Sequence, residues 1–445
     1  MPNSLTIQLC NQTTSDQVYA YITGLAIQHN GARVLLKSNG QDLYFPTSPP
    51  AILQPLVEDC AIPLGAPGNT VTVQIPQMAG GRIWFSRDAR LTFLLNPGPA
   101  LVEPSVLNPT DPNAKVDFSF CEFTLNNDQL FANISYVDFV PRLPIALTLQ
   151  TLGGAVQHVS GMPPDGLGRV CNALREQAAK DGRPWDKLVV GNPPLRALSP
   201  THGNAVGASF GGYFEPLVEE VWSKYCHTMN QQHTPNQQPP TPPMPEKKQQ
   251  QQHGLRHLFS QLRPQSPPQQ QQQQHQQVER MGVQQLLKGA AGVQQTLRIN
   301  TQAAAGIVSG SVNPDSGDLV FGGECFKKPN SADILGCNSG PFTTGPNPTR
   351  NAIIPRLAAA FQRSSIVDIN EHPSRPDTFY KREPTNHYCR IVHECNLDGK
   401  GYAFAYDDVQ PDGGEDQSGK VNAGDPKVFI VAVGGMGAYV GDRMP

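Results

Sequence analysis

The chain has 445 residues, the length of two or three domains at roughly 100–200 residues each. Its 34 lysines and arginines stand against 37 aspartates and glutamates, a net charge of −3 that makes no electrostatic case for nucleic acid or an anionic membrane as the main partner. Only 16% of residues are charged, while Gly (41) and Pro (43) are both abundant. Such a chain is rich in turns and has an uncharged polar surface. That surface suits a neutral, hydroxyl-rich ligand such as a polysaccharide, or a turn-rich β protein with one biased insertion.

The N-terminus, "MPNSLTIQLCNQTTSDQ", has neither a basic n-region nor a continuous apolar h-region. It reads as a first strand with Leu5, Ile7 and Leu9 on one face, and the chain as cytosolic or leaderless. No run of about 18 apolar residues occurs, so no membrane span is expected. As far as residue 150 the period is two: "VYAYI", "TVTVQI", "RIWFS" and "RLTFLL" are separated by Gly, Pro, Asn and Asp turns, the pattern of a sandwich or barrel. Helical spacing follows at 166–182, 213–229 and 350–365; Gly182 stops the first helix, and Pro355 marks a first turn or a kink in the third. Residues 231–278 are so dense in Gln and Pro that disorder is the default. An interrupted amphipathic stretch, "VERMGVQQLLKGAAGVQQTL", comes next, and then a mixed region with "IVSGSVNPDSGDLVFGG". The tail returns to strands in "HYCRIVHECN", "GYAFAYDDV" and "KVFIVAVGG". The pattern predicts one β domain built from both termini and interrupted by an α/β insertion. Nine widely spaced cysteines, an odd number, leave at least one unpaired and do not make a disulfide scaffold.

Most familiar motifs fall away. His393-Glu394 begins like HExxH, but Leu397 stands where the second ligand belongs. Cys389 and Cys395 have no CxxC partner pair, "VGGMGAYVG" has the wrong glycine spacing for a dinucleotide turn, and "DGGEDQSGKVNAGD" reads as a solvated acidic loop. There is no P-loop. What remains is a pair of acids in "CEFTLNNDQLFANISYVDFVPRLPIALTLQ" (121–150), where Glu122 and Asp138 interrupt strand-forming runs that disfavour such residues. Glycosidic hydrolysis needs two carboxylates, roughly 5 Å apart for retention or about 6.5–9.5 Å for inversion. A tight turn at Asn127-Asp128 would pair residue 122 with 133 and put Asp138 on the other face. A five-residue loop, 128–132, would set the two acids opposite each other, with Cβ atoms about 5 Å apart. On spacing alone, two solvent-facing acids remain the alternative.

"FCEFTL", "ANISYVDFVPRLPIAL" and "GYAFAYDDV" together resemble glycoside hydrolase family 64, and "GGRIWFS" (80–86) resembles the Gly-Arg-Ile-Trp stretch of thaumatin-like proteins. The resemblance covers residues 1–225 and 296–440. It implies a mainly β fold: a thaumatin-like β-barrel or sandwich from residues 1–150 and 386–445, with a mixed α/β domain inserted at 151–385 that itself carries the disordered Gln/Pro-rich segment 231–278. The implied activity is hydrolysis of β-1,3-glucan by an inverting mechanism in a wide groove, without cofactor or metal. Glu122 matches the family's general acid, kept protonated by partial burial beside Phe120 or Phe131, and Asp138 its ionised general base. Thr124 and Asn126 alternate with Glu122 and would meet sugar hydroxyls, and Phe131 would form a stacking platform. Asp111, Asp407 and Asp408 are further groove candidates, each equally a turn former, the last two equally a structural pair. The implied partner is the glucan alone, with no nucleic acid and no membrane, for a monomer that is cytoplasmic or exported without a leader to the cell wall. Two other classes stay open: a non-catalytic glucan-binding or cell-wall-interaction protein, and a scaffold acting through its Gln-rich segment. Without a leader the sequons at Asn11 and Asn133 are expected to be unused, and Asn133 lies too near the candidate site for a glycan.

Overall fold

Alternation of apolar and polar side chains builds the first strands. In β1 (Ser4–Asn11), Leu5, Ile7 and Leu9 are buried between half-exposed Thr6 and Gln8. The computed structural model describes residues 4–226, 295–302 and 304–435. The Gln/Pro segment 231–278, the amphipathic stretch as far as residue 294, and most of "VGGMGAYVG" lie outside the described residues. Up to residue 159 the longer strands are β1, β2 (Val18–Ala26), β3 (Ala32–Leu36), β4 (Thr70–Pro76), β5 (Met78–Arg87), β6 (Asp117–Leu125), β7 (Leu130–Ile134), β8 (Ile145–Thr151) and β9 (Val156–Val159). Further along come β10 (Leu297–Asn300), β11 (Ile307–Val312) and β12 (Leu319–Phe321), and near the C-terminus β13 (Lys420–Ala423) and β14 (Pro426–Val433).

One sheet has the order β9-β8-β14-β1-β4. Its β1 and β14 run parallel, with Ile7 opposite Phe429, so the first and last described strands lie side by side. A larger sheet has the order β13-β7-β6-β5-β2-β3 and ends on Leu43–Tyr44. Apolar residues of both sheets share one continuous core, including Leu5, Ile7, Phe429 and Val431 from the first and Ile22, Ile83, Phe85 and Phe123 from the second. The opposite face of the larger sheet carries Trp84, which is buried against Phe93, Phe118 and Phe120. A third sheet joins β10, β11 and β12 to the short strands Glu324–Phe326 and Glu371–His372. "IVSGSVNPDSGDLVFGG" is therefore a hairpin, its turn stabilised by Asn313 Oδ1 accepting from the amides of Asp315 and Ser316.

The three helical stretches read from periodicity are present. Helix α1 (Gly166–Asp181) stops at Gly182, whose left-handed backbone returns its N–H to Ala178 O. Helix α2 is Glu215–Tyr225. After the short α3 (Ser331–Gly336), α4 (Pro348–Gln362) starts under an Asn347 cap and keeps Pro355 in its interior.

Two of the three strands expected in the tail are something else. "HYCRIVHECN" is helix α5 (His387–Cys395), capped by Asn386 Oδ1 on the Cys389 amide. Tyr388, Ile391, Val392 and Cys395 fall at i, i+3, i+4 and i+7, a helical stripe that also passes for alternation over a short window. "GYAFAYDDV" is a run of turns, and only the third segment forms a strand, β14. "RLTFLL" gives strand only at Leu94–Asn96, although Leu91 and Phe93 are buried as a strand would bury them. Within the acidic loop 412–425, Lys420–Ala423 pairs with β7 as the edge strand β13. Each of the nine cysteines is a free thiol.

Candidate active site

Residues directly opposite one another on neighbouring strands share a face of the sheet. The register of the larger sheet sets Thr23 (β2), Arg82 (β5), Glu122 (β6) and Asn133 (β7) in one row, with Lys420 beyond on β13. Beside this row the register slips: β5 carries an extra residue at Gly80-Gly81, opposite Thr23–Leu25 on one side and Phe123–Leu125 on the other. A Cβ on Gly81 would lie 2.4 Å from the Phe123 ring, and Gly80 has φ +54°, so both positions require glycine. Bulges of this kind bend a strand and re-aim the next side chain, here Arg82.

A cleft of about 410 Å³ opens over this row, lined by Arg82, Glu103, Glu122, Thr124, Phe131 and Asn133 together with the bulge glycines, Leu25, Arg33 and Phe123. Arg82 organises it. Its Nε and Nη2 donate to Glu122 Oε1 at 3.1 and 3.0 Å, and its Nη1 donates to Glu103 Oε2. The guanidinium carbon lies 5.1 Å from the Phe120 centroid and 5.6 Å from Trp84, so the aromatic cluster forms its floor. Thr23 Oγ1 accepts from Trp84 Nε1 at 3.2 Å and donates to Glu103 Oε1 at 3.3 Å, which closes the network. Burial weakens the guanidinium's hold on its proton, but the carboxylates of Glu103, Glu122 and Asp138 outweigh it and raise Arg82 further above its ordinary value.

Glu122 and Asp138 do not face each other across a hairpin. The connection is the tight one: Asn126 N bonds Gln129 O, Leu125 pairs Leu130, and Glu122 pairs Asn133. The five-residue loop is not formed because Asn126 Oδ1 accepts from the amides of Asp128 and Gln129 and closes the turn early. Strand alternation does not carry on to Asp138, since β7 ends at Ile134 and the chain turns away after a bridge from Ser135 to Tyr402. Asp138 is held instead from the 190s segment. Its carbonyl accepts from Ser199 N at 2.9 Å, and its Oδ1 lies 2.7 Å from His202 Nε2 on the 3-10 helix Pro200–Val206. Its field still reaches Arg82. The apolar wall expected around Glu122 is replaced by a guanidinium, and 36% of the Glu122 side chain is exposed to the cleft.

Thr124 and Phe131 sit opposite one another in the cleft, with Lys420 Nζ 5.7 Å from the Phe131 ring. Asn126 uses its side-chain oxygen in the turn and does not line the cleft. Asp111 is a turn former, accepting from the amides of Ser105 and Asn113 and from the Asn113 side chain. Asp407 is fully buried and structural: it accepts from Arg363 Nη2, His393 Nε2 and the Ala403 amide, each at 3.0 Å. Burial alone would raise its carboxyl, and His393, Arg363 and the amide together hold it below the usual range. Asp408 takes the Tyr402 hydroxyl at 3.2 Å, and Tyr402, raised chiefly by burial and then by Asp408, also feels the charge of Glu122. The sequence reading missed Arg82, Glu103, Thr23 and His202 as site residues. Arg82 had a signal, an arginine directly after Gly-Gly inside a strand. Glu103 and His202 have none, because only the fold brings them there.

The family described as "Glyco_hydro_64: Beta-1,3-glucanase" matches residues 3–240 and 262–433. Two curated relatives, each named "Glucan endo-1,3-beta-glucosidase", from Cellulosimicrobium cellulans and Arthrobacter sp. (strain YCWD3), are 27% identical over 349 residues, 77% of this chain. The chain spans about half the length of these relatives, 50% in each case. A laminaripentaose-producing beta-1,3-glucanase crystallised with laminaritetraose superposes with TM-score 0.72 at 25% identity, over 97% of this chain and 98% of that one. A beta-1,3-glucanase domain from Clostridium beijerinckii gives TM-score 0.65 at 21% identity over 97% and 98% of the two chains. The row of polar residues around Glu122 therefore lies in a mostly β fold shared with these glucanases, and the chain belongs to the glycoside hydrolase 64 family of beta-1,3-glucanases.

Proposed function

We propose that this chain hydrolyses β-1,3-glucan by a single displacement, with Glu122 as general acid and Asp138 as general base. The observation that carries this reading is the Glu122 carboxyl lining the cleft: the two Arg82 donors that reach it both go to Oε1, which leaves Oε2 to hold a proton. In the step itself, the Glu122 proton passes to the glycosidic oxygen as the C1–O bond breaks. A water oxygen bonds to C1 from the opposite side of the ring and gives its proton to Asp138. His202 holds Asp138 by one oxygen, so the other is the acceptor. Thr124 and Phe131 would bear on the sugar beside Glu122, the former through its hydroxyl and the latter by stacking, while Asp408 would act from behind Tyr402. The names of the relatives and the laminaritetraose held by the structural neighbour support the substrate class.

The same reading gives the larger sheets as a thaumatin-like barrel, with the third sheet and its helices as the inserted mixed domain. The parallel pairing of β1 with β14 supports a barrel built from both ends of the chain.

Reducing-sugar release from linear β-1,3-glucan tests the chemistry, with Glu122→Gln measured beside the wild type. Release by the wild type and a loss of several orders of magnitude in the variant is the expected result. Silence from both proteins, with the folded chain still retained on insoluble glucan, would favour a binding protein over a hydrolase.

A further inference from the structure

The geometry points to Glu103 as a positioning residue for the proton donor: by taking one of the three Arg82 donors in use, it divides the positive charge that Arg82 presents to Glu122. This inference rests on the reading of Glu122 as general acid, and it concerns a residue about twenty positions away in sequence. Arg82 has three donors in use, two on Glu122 Oε1 and one on Glu103 Oε2. Glu103 is in turn fixed by Thr23 Oγ1, which is fully buried and tied to Trp84 Nε1. The chain Trp84–Thr23–Glu103–Arg82–Glu122 thus runs from the aromatic floor to the cleft as one set of hydrogen bonds.

A general acid must carry its proton when substrate arrives, and an unshared guanidinium at 3 Å favours the ionised carboxylate. Glu103 supplies the opposing charge. The other groups around Glu122 do not replace it. Asn133, across on β7, is neutral, and so is Tyr402, whose hydroxyl is kept protonated by burial and by Asp408 behind it. Cys121, the preceding residue on β6, is a thiol that burial keeps protonated. Asp138 reaches Arg82 through its field but makes no bond to it, being engaged with His202. Arg33 lines the cleft and gives a hydrogen bond to Gly24 O, while Lys420, beyond Asn133, pairs with Asp416. Among the described groups, Glu103 is the carboxylate that shares the Arg82 guanidinium with Glu122 by direct hydrogen bonds.

The experiment follows the Glu122 side-chain carboxyl by carbon-13 NMR against pH, its signal identified by its disappearance in Glu122→Gln. The pH–rate profile on linear β-1,3-glucan is recorded beside it. In Glu103→Gln, which keeps an acceptor for Arg82 but no charge, the Glu122 transition and the alkaline limb of kcat/KM are expected to move to lower pH by about one unit. Glu103→Asp restores both. Arg82→Gln moves the Glu122 transition the opposite way and serves if Glu103→Gln does not fold. Coincident Glu122 transitions in wild type and Glu103→Gln, or an unmoved transition in Arg82→Gln, would overturn the inference. A shifted NMR transition in a protein that releases no sugar would uphold the charge sharing and refute the hydrolase reading instead.

Discussion

Replacing Asp407 by Asn separates two roles that its sequence leaves equally open. In the structure the side chain is wholly inaccessible and joins three parts of the molecule: Arg363 at the end of α4, His393 on α5 and the 403–409 turns. Arg363, itself only 2% exposed, bonds the carbonyls of Val409 and Asp407 and stacks at 4.2 Å on Phe379. Asn keeps the size and one acceptor but removes the charge, which strands a buried guanidinium. Breaking one side of a buried pair costs about 3–5 kcal/mol, and the retained acceptor places Asp407→Asn near the lower figure, about 3 kcal/mol. The assay is urea unfolding near pH 6 followed by tryptophan fluorescence, with glucan turnover measured in the absence of urea. The expected result is a fall in midpoint with the slope unchanged, and turnover per folded molecule within a few-fold of wild type. A midpoint shift worth less than about 1 kcal/mol, together with a collapse of turnover, would refute the structural role and return Asp407 to the groove.

Three other outcomes follow from single residues. His372 is fully buried, its Nε2–H donating to Ile369 O at 3.0 Å, and burial above all lowers it from 6.5 to about 4. The unfolded chain therefore binds a proton between these values that the folded chain refuses, and the stability His372 contributes is complete above about pH 6.5 and lost as pH falls toward 4. The loss amounts to roughly 3 kcal/mol. A His372→Asn variant should lack this slope in the difference between its urea midpoints at pH 7 and pH 4.5, and an identical slope would reject the assignment. His393 has the opposite sign: its ion pair with Asp407 overcomes burial and raises it, so its contribution is complete below about pH 6.5 and lost as pH climbs through the folded value. Gly81→Ala puts a Cβ 2.4 Å from the Phe123 ring and should cost about 1–3 kcal/mol of stability while displacing Arg82. Unchanged unfolding and turnover would mean that the bulge does not aim Arg82.

How much of this molecule its sequence determined can be followed residue by residue. Local rules held where one short segment decides its own structure: alternation produced β1, β4 and β5, and Gly182 ended α1. The acids Glu122 and Asp138 stood out because strands disfavour them. Local rules failed where two periods fit the same few residues, as in "HYCRIVHECN", whose stripe serves a helix as well as a short alternation. In the hairpin the turn residues Asn127-Asp128 did specify the tight form, and only a direct pairing of Glu122 with Asp138 would have needed the longer loop. Tertiary structure found another way, leaving β7 at Ile134 and docking Asp138 on His202.

Long-range registers decided the rest. Thr23, Arg82, Glu122 and Asn133 share a row because β2, β5, β6 and β7 pair with one particular offset, and a bulge sets the aim of Arg82. A side-chain period of two makes each strand's own pattern readable, but it carries no information about which residue of a distant strand lies opposite. Glu103, His202 and the burial of Asp407 are consequences of that offset and of how the helices pack. Their physical cause is the closing of one common core, which no short stretch of sequence contains.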